Sequence, residues 1–169
     1  MDLEKARTTL FTQLRSVPGT EDIPLAQALG RVTAEPIYAQ ISLPPFPASA
    51  MDGYAVRRKD FDAAKPLRLI GQSLAGHPFH GTVTAGDCVR IFTGAVVPEG
   101  ADLIVLQERL AESAVGNDGS EIVRFEEHEP DEAFIRSIGN DVEQGQITCL
   151  AGEVLTPLLL GSLASAGVS

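Results

Sequence analysis

Three prolines stand within four positions of one short segment, at Pro44, Pro45 and Pro47. Proline fixes its own φ angle and lacks a backbone N–H, and it holds the preceding residue in extended backbone. Neither a helix nor a central strand can therefore run through this segment. We predict a domain boundary here, where the character of the chain changes.

The part of the chain after the prolines carries mostly β signals. Short apolar runs alternate with turn residues such as Gly71, Gly86 and Gly100, and this spacing is typical of a small sandwich or barrel. Residues 103–106 are all apolar, which predicts a strand buried on both faces. The letters NDGS at 117–120 favour a hairpin turn. The candidate strands are 54–56, 67–70, 87–92, 103–107 and 122–125.

Helix and strand signals mix in the two outer parts of the chain. Apolar residues recur every three or four positions over 3–17, which predicts an amphipathic helix that Asp2 caps. Thr156 suits the N-cap of a helix over 157–166, which begins with proline. Because that helix is almost entirely apolar, we expect it to be buried. Further short elements are expected at 24–29 (helix) and at 37–41, 147–150 and 154–155 (strands).

The charge balance excludes two classes of partner. Asp and Glu number 23 against 13 Lys and Arg, for a formal net charge of −10. Nucleic acids and anionic membranes require a basic face, so we expect neither as a partner. The first residues lack the apolar core of a signal peptide, and the most apolar stretch, 154–168, is shorter than the roughly 20 residues of a membrane span. A cytoplasmic location is expected.

The chain carries no complete metal or nucleophile motif. Cys88 and Cys149 lie far apart in sequence and are interpreted as buried free thiols, since a disulfide would require the fold to bring them together. His77 and His80 have no further ligand at metal-site spacing, which favours a structural or solvent-facing role. The acidic run at 126–132 is interpreted as a solvated loop, although acidic runs can attract a cation.

Two polar residues lie at predicted strand ends. Asp52 precedes Gly53 and the strand 54–56, and Gly53 allows a tight turn that directs the carboxylate outward. Thr93 follows the strand 87–92 in a similar position. The alternative for each residue is a side chain that only caps its own turn. If the fold brings the two together, they form one candidate site.

Residues 49–56, SAMDGYAV, and 92–95, FTGA, are the most specific motifs of the chain. They resemble the family of molybdopterin molybdenumtransferases, which includes the bacterial MoeA proteins and the E domain of gephyrin. The resemblance extends in family order over nearly the whole chain. Its other matching segments are 25–32, 75–78, 86–91, 97–102 and 135–141.

This resemblance implies an α+β fold in two parts. Residues 46–138 would form an inserted β-rich lobe like a small barrel or sandwich, here called the β lobe. Residues 1–45 and 139–169 would form a mixed α/β connecting domain that carries the terminal amphipathic helix. Family members are elongated homodimers whose carboxyl-terminal part holds most of the pterin nucleotide. We therefore expect this chain to be the amino-terminal part and to be inactive alone.

The resemblance also implies a reaction and its site. Molybdenum from molybdate enters adenylylated molybdopterin with Mg²⁺-dependent release of AMP, in molybdenum cofactor biosynthesis, and a molybdopterin adenylyltransferase is the implied partner. By motif position, Asp52 and Thr93 would be the catalytic residues facing a cleft between subunits. Asp52 would bind Mg²⁺ through carboxylate oxygen, and Thr93 would hydrogen-bond a phosphate or molybdate oxyanion. Ser49, Gly94 and Arg136 would bind the cofactor substrate.

Two segments depart from the pattern of many family members. Pro47-Ala48 stands in place of Asp-Asn, and Ser137-Ile138 stands where consecutive arginines precede Gly-Glu-Asp. Loss of positive charge at 137–138 would weaken the binding of an anionic substrate. Two alternatives therefore stay open: a gephyrin-like scaffold that docks peptides, and a non-catalytic paralogue that dimerises.

Overall fold

The protein is described by a computed structural model that covers residues 2–14, 19–62, 65–116, 119–126 and 132–169. These residues form a mostly β protein with two α-helices, which confirms the predicted α+β class with a β-rich lobe. The helices are α1 (Leu3–Gln13) and α2 (Pro157–Ser165), and short 3₁₀ turns cover Leu25–Gln27, Arg58–Asp60 and Gln107–Arg109. The strands are β1 (Ile37–Tyr38), β2 (Ala48–Ser49), β3 (Gly53–Val56), β4 (Leu67–Ser73), β5 (Asp87–Ile91), β6 (Leu103–Leu106), β7 (Leu110–Val115), β8 (Glu121–Phe125), β9 (Ile135–Arg136) and β10 (Ile147–Cys149).

A curled six-stranded sheet forms the centre of the β lobe. Its strand order is β6-β3-β5-β4-β8-β7, and all neighbours are antiparallel except β4 and β5. Gly53, the first residue of β3, lies opposite Ile91 of β5 and Leu106 of β6. Ile91 and Leu106 are the last residues of their strands. The start of β3 and the ends of β5 and β6 therefore meet at one end of the strands, which is the edge of the sheet that carries the candidate site.

Apolar side chains cover both faces of this sheet. Tyr54 and Val56 of β3 pack on one face, whereas Ala55 packs on the other, as strand alternation requires. The first three residues of β6 are at most 1% exposed, which confirms the prediction of a strand buried on both faces. One cluster contains Tyr54, Val56, Leu67, Cys88, Leu103, Val105, Val123 and Phe125, and the other contains Ala55, Val83, Val89, Ile91, Ala95 and Ile104.

The outer parts of the chain enclose a third, smaller core. β1 and β10 pair antiparallel, and α2 packs against β10 and the Leu25–Gln27 turn. The buried residues of this core are Ala28, Cys149, Leu155 and Leu163. It is separate from the two clusters of the β lobe, and the proline segment lies between them in the chain. The exact division at 46 and 138 stays a prediction.

Two neighbouring segments connect these cores. Leu43 donates its N–H to the Val142 carbonyl at 2.8 Å, and Gly139 donates to the Pro44 carbonyl at 3.0 Å. A little further along, β2 pairs antiparallel with β9, with Ala48 opposite Arg136. The chain therefore enters and leaves the β lobe side by side.

The amino-terminal helix is shorter than predicted and lies exposed on the described part of the chain. It ends at Gln13 rather than 17, and residues 15–18 lie outside the described part. Asp2 is its N-cap residue, but the Asp2 side chain makes no cap hydrogen bond. No residue of α1 is buried. Its large apolar residues are exposed, namely Leu3, Leu10 and Phe11, as is the following Leu14.

The carboxyl-terminal helix has the predicted start but not the predicted burial. Thr156 Oγ1 accepts a hydrogen bond from the Leu159 N–H at 3.3 Å, which confirms the N-cap. The expectation of a buried helix is wrong: Leu163 is its only buried residue, and Leu158 is 85% exposed. One side of α2 packs on the small core, whereas the described residues leave its other side uncovered.

The predicted strands are found with ends that differ by a few residues. Three strands, β2, β7 and β9, were not predicted. β2 and β9 are only two residues long, and β7 is an exposed edge strand without an alternating apolar pattern. The strand expected at 154–155 is only an isolated bridge between Val32 and Val154. β7 and β8 pair as a hairpin around the NDGS segment, of which residues 117–118 lie outside the described part.

The expectations for cysteine and metal ligands can be compared with the described residues. Cys88 and Cys149 are buried free thiols, as predicted. No three His, Cys, Asp or Glu side chains in the described ranges cluster as a metal site. Most of the acidic run, 127–131, lies outside those ranges. Neither α1 nor α2 has the length and apolar character to cross a bilayer.

A buried carboxylate ties β4 to β5. Arg68 donates to Asp87 Oδ1 through Nε at 3.0 Å and Nη2 at 2.9 Å, and the Thr84 hydroxyl donates to Oδ2. Burial raises the pKa of Asp87, but the hydrogen bonds from Thr84 and Arg68 together outweigh it, so the pKa is lowered overall. The ionised form of Asp87 therefore contributes to stability.

We expect Asp87→Asn to lower the free energy of unfolding at neutral pH by about 2 kcal/mol, because it weakens a buried charge-assisted network. The folded-state pKa of Asp87 lies below its unfolded value of about 3.9, so its contribution is present above that value and is lost as pH falls through the folded pKa. The variant should therefore lose less stability than the wild type on acidification. Urea unfolding at neutral and acidic pH measures both effects.

The matched control for this experiment is Glu112→Gln. Among the described residues, the Glu112 side chain forms an exposed ion pair with Arg124, at 3.7 Å. Exposed pairs contribute about 0–1 kcal/mol, so this variant should unfold like the wild type. An Asp87→Asn protein with undiminished acid sensitivity would contradict the assignment.

Candidate functional site

Asp52 and Thr93 meet at the edge of the sheet where β3 begins and β5 ends. Thr93 donates twice to Asp52 Oδ1, from its backbone N–H at 2.7 Å and from its hydroxyl at 2.8 Å. Asp52 is half-buried and Thr93 is exposed. The two candidates from different motifs therefore form one polar site at the surface.

Strand register explains why they meet. Gly53 lies opposite Ile91 in the antiparallel pair of β3 and β5. The chain just before Gly53 therefore continues beside the chain just after Ile91. Residues 92–95 then turn, with a hydrogen bond from the Ala95 N–H to the Phe92 carbonyl at 2.9 Å. This turn places both Thr93 donors on the Asp52 carboxylate.

The hydrogen bonds lower the pKa of Asp52 and so favour its ionised form. The backbone N–H of Thr93 lowers the pKa of Asp52 most, followed by the Thr93 hydroxyl, and the positive charge of Arg90 lowers it further. Both Thr93 donors use Oδ1, and the described residues make no hydrogen bond to Oδ2. Oδ2 therefore remains available to a cation or a hydrogen-bond donor.

The Thr93 hydroxyl has a different partner from the one expected. Its proton is directed to Asp52, so donation to an oxyanion would require the hydroxyl to rotate. In the observed geometry the hydroxyl orients the carboxylate, and its oxygen lone pairs remain free to accept. The arrangement favours Asp52 as the residue that contacts a ligand and Thr93 as the residue that holds it.

Ser49 and Gly94 connect the loops that carry Asp52 and Thr93. Ser49 is 1% exposed, and its hydroxyl donates to the Met51 carbonyl at 2.6 Å. A substrate contact through this hydroxyl does not fit the geometry, because the side chain is buried. Gly94 adopts a φ of +80° and donates its N–H to the Ser49 carbonyl at 2.9 Å. Both residues hold the loops of Asp52 and Thr93 together.

Arg136 lies away from this pair in the hydrogen-bond network. It is half-buried in β9, and its Nη2 donates to both carboxylate oxygens of Asp141, at 2.6 and 2.5 Å. This hydrogen bond lowers the pKa of Asp141. The positive charge of Arg136 is therefore already balanced by Asp141, and among the described residues no hydrogen bond joins Arg136 to Asp52 or Thr93.

Arg90 and Gln107 also contact this site, although neither was predicted from the sequence. Arg90 Nη1 donates to the Gly53 carbonyl at 2.8 Å, next to Asp52. The Gln107 N–H donates to the Asp52 carbonyl at 3.1 Å. The available signal was Arg90 itself, a charged residue within the otherwise mostly apolar strand Asp87–Ile91.

Comparison with known protein families identifies the chain. A family model described as the MoeA N-terminal region, domains I and II, matches residues 1–167. The chain belongs to the MoeA family. The match includes both motifs of the site, and the architecture of this MoeA-family chain agrees with those two domains.

Individual relatives agree with this assignment. Molybdopterin molybdenumtransferase of Haemophilus influenzae is 38% identical over 169 residues, which are all of this chain and 41% of the relative. Molybdopterin molybdenumtransferase 2 of Mycobacterium tuberculosis is 36% identical over 152 residues, or 87% of this chain and 36% of the relative. A solved MoeA structure from Pyrococcus horikoshii has a TM-score of 0.80 and 30% identity, covering 98% of this chain and 43% of that one. The chain thus spans about two-fifths of the length of such relatives.

Gly53 is the residue next to Asp52 where a substitution should affect stability most clearly. A Cβ atom at this position would lie 2.1 Å from the Val105 carbonyl oxygen of β6, which is backbone and cannot rotate away. We therefore expect Gly53→Ala to lower the free energy of unfolding by about 2–3 kcal/mol, as overpacking does. Chemical denaturation of the purified variant measures this loss.

Gly161→Ala is the matched control. Gly161 lies in α2, and a Cβ there would meet nothing within 4 Å. Alanine is the better helix former, so this variant should gain about 0.5–1 kcal/mol. If both substitutions changed the free energy of unfolding in the same direction, the close approach of β3 and β6 would not be the reason for glycine at position 53.

Proposed function

We propose that this MoeA-family chain is the amino-terminal part of a molybdopterin molybdenumtransferase. The protein would insert molybdenum from molybdate into adenylylated molybdopterin and release AMP, in molybdenum cofactor biosynthesis. The observation that carries this proposal is the paired Asp52 and Thr93, which joins the two family motifs in one surface site. The names of the relatives from Haemophilus influenzae and Mycobacterium tuberculosis support it.

Asp52 fits the role of a magnesium ligand. It is an ionised carboxylate with one oxygen free of protein hydrogen bonds, and Mg²⁺ commonly takes one or two carboxylates together with substrate phosphates and water. The described residues do not surround Asp52 with further acidic ligands. We infer that the other ligands come from substrate and solvent. When bound, the ion would neutralise negative charge on the phosphate.

Thr93 holds Asp52 in place for this role. Two donors on one oxygen restrict rotation of the carboxylate and lower its pKa. A side chain that contacts substrate is positioned precisely when other residues hold it by hydrogen bonds. Substrate binding would then meet a preformed acidic group, so little ordering would be required on binding.

The remainder of the site would come from outside this chain. We propose a homodimer in which the Asp52 surface faces the pterin-nucleotide region of the other subunit. Exposed apolar side chains, such as Leu10 and Phe11 of α1 and Leu158 of α2, are typical of association surfaces. We place the protein in the cytoplasm, with a molybdopterin adenylyltransferase as the partner that supplies the adenylylated substrate.

A non-catalytic paralogue is the second candidate. It is favoured by the residues at 137–138, where Ile138 is 54% exposed in place of an arginine. The adjacent Arg136 is already paired with Asp141. This surface therefore offers little unpaired positive charge to an anionic substrate.

Turnover of the protein expressed from its complete reading frame tests the proposal. We expect molybdate- and Mg²⁺-dependent AMP release, which Asp52→Ala should reduce about a hundredfold or more because it removes a metal ligand. Glu112→Gln, which changes an exposed carboxylate in β7, should keep wild-type turnover. Undiminished turnover in Asp52→Ala would remove the magnesium role, and an inactive wild type would favour the paralogue.

A further inference from the structure

We propose that Arg90 and Gln107 act as a positioning pair that holds the carbonyl groups on both sides of Gly53, those of Asp52 and of Gly53 itself. Arg90 Nη1 donates to the Gly53 carbonyl at 2.8 Å, and Arg90 Nη2 donates to Gln107 Oε1 at 2.5 Å. The same Gln107 donates its backbone N–H to the Asp52 carbonyl at 3.1 Å. Two successive carbonyls are thus held by two residues that also bind each other.

The guanidinium of Arg90 also contacts two aromatic rings. Its central carbon lies 4.9 Å from the centre of the Tyr54 ring and 4.6 Å from that of Phe92. A planar guanidinium can stack on rings while its N–H groups donate in its own plane. A lysine ammonium keeps the charge but cannot donate in the same fixed directions. The geometry therefore requires arginine rather than any cation.

The contacts of Arg90 reach both halves of the Asp52–Thr93 site. Through Gly53 it restrains the residue after Asp52, and through the Phe92 ring it restrains the residue before Thr93. Gln107 lies just after the end of β6, so the pair joins the three strand ends that meet at this edge. Small displacements of a reacting group reduce turnover strongly. Any effect on turnover rests on the proposed function, whereas the restraint of the backbone does not.

Amide hydrogen exchange, followed by NMR on this chain, tests the restraint directly. The amides of Thr93 and Gln107 report on it, because both donate to atoms of Asp52. We expect Arg90→Met to accelerate their exchange about tenfold, while amides between β4 and β8 keep wild-type rates. Arg90→Lys should restore only part of the protection. Arg124→Met, which removes an exposed arginine from β8, is the matched control and should exchange like the wild type.

Three outcomes would overturn the proposal: wild-type protection in Arg90→Met, full rescue by Arg90→Lys, or equal loss of protection throughout the sheet. Full rescue would mean that only the positive charge matters. If Arg90→Met does not fold, the exposed Gln107 decides the question. Gln107→Ala should then accelerate exchange of the Thr93 amide about threefold, and an unchanged rate would refute the pairing.

Turnover provides a second, separate readout. In the protein from the complete reading frame, Arg90→Lys should lower kcat about tenfold, whereas Arg124→Met should not. An unchanged kcat in Arg90→Lys would overturn the role in turnover. Absence of turnover in the wild type would instead refute the proposed function, and hydrogen exchange would still decide whether the pair positions Asp52.

Discussion

The antiparallel pairing of β3 with both β5 and β6 determines the geometry of the whole site. β3 is only four residues long, yet it lies between two strands that both end beside Gly53. This register brings Thr93 and Arg90 from one neighbour and Gln107 from the other to the same Asp52–Gly53 turn. Side chains alternate across the strand, so its remaining residues fill the two cores. One short ladder therefore both stabilises the lobe and arranges its polar edge.

Much of this fold could be predicted from local patterns, because burial produces them. The apolar run 103–106 indicated a buried strand, and Thr156 indicated a helix start. β7 carried no such pattern, since an exposed edge strand has no need for alternating apolar residues. The exposure of Leu158 was missed because composition reports that a helix is apolar but not which side is covered. Periodicity describes an element by itself, whereas coverage depends on its neighbours.

The site was predictable in its members but not in its connections. The family resemblance indicated Asp52 and Thr93, but their hydrogen bonds follow from strand register, which pairs residues about forty positions apart. Ser49, which the resemblance had implied as a ligand contact, is buried in β2 opposite Ile135 of β9. Arg90 was overlooked because its partners are backbone carbonyls and rings. Such partners leave no spacing signature in a sequence.

The charges of the described residues disfavour an anionic substrate that binds without a cation. The net charge is −10, Asp52 is ionised, and Arg90 and Arg136 already have partners. The side-by-side crossing formed by β2 and β9 has a separate consequence for protein engineering. The two ends of the β lobe lie side by side there, as the ends of inserted domains commonly do. Bringing these ends together therefore costs little conformational entropy. A short linker would therefore be enough to join the two ends of the lobe.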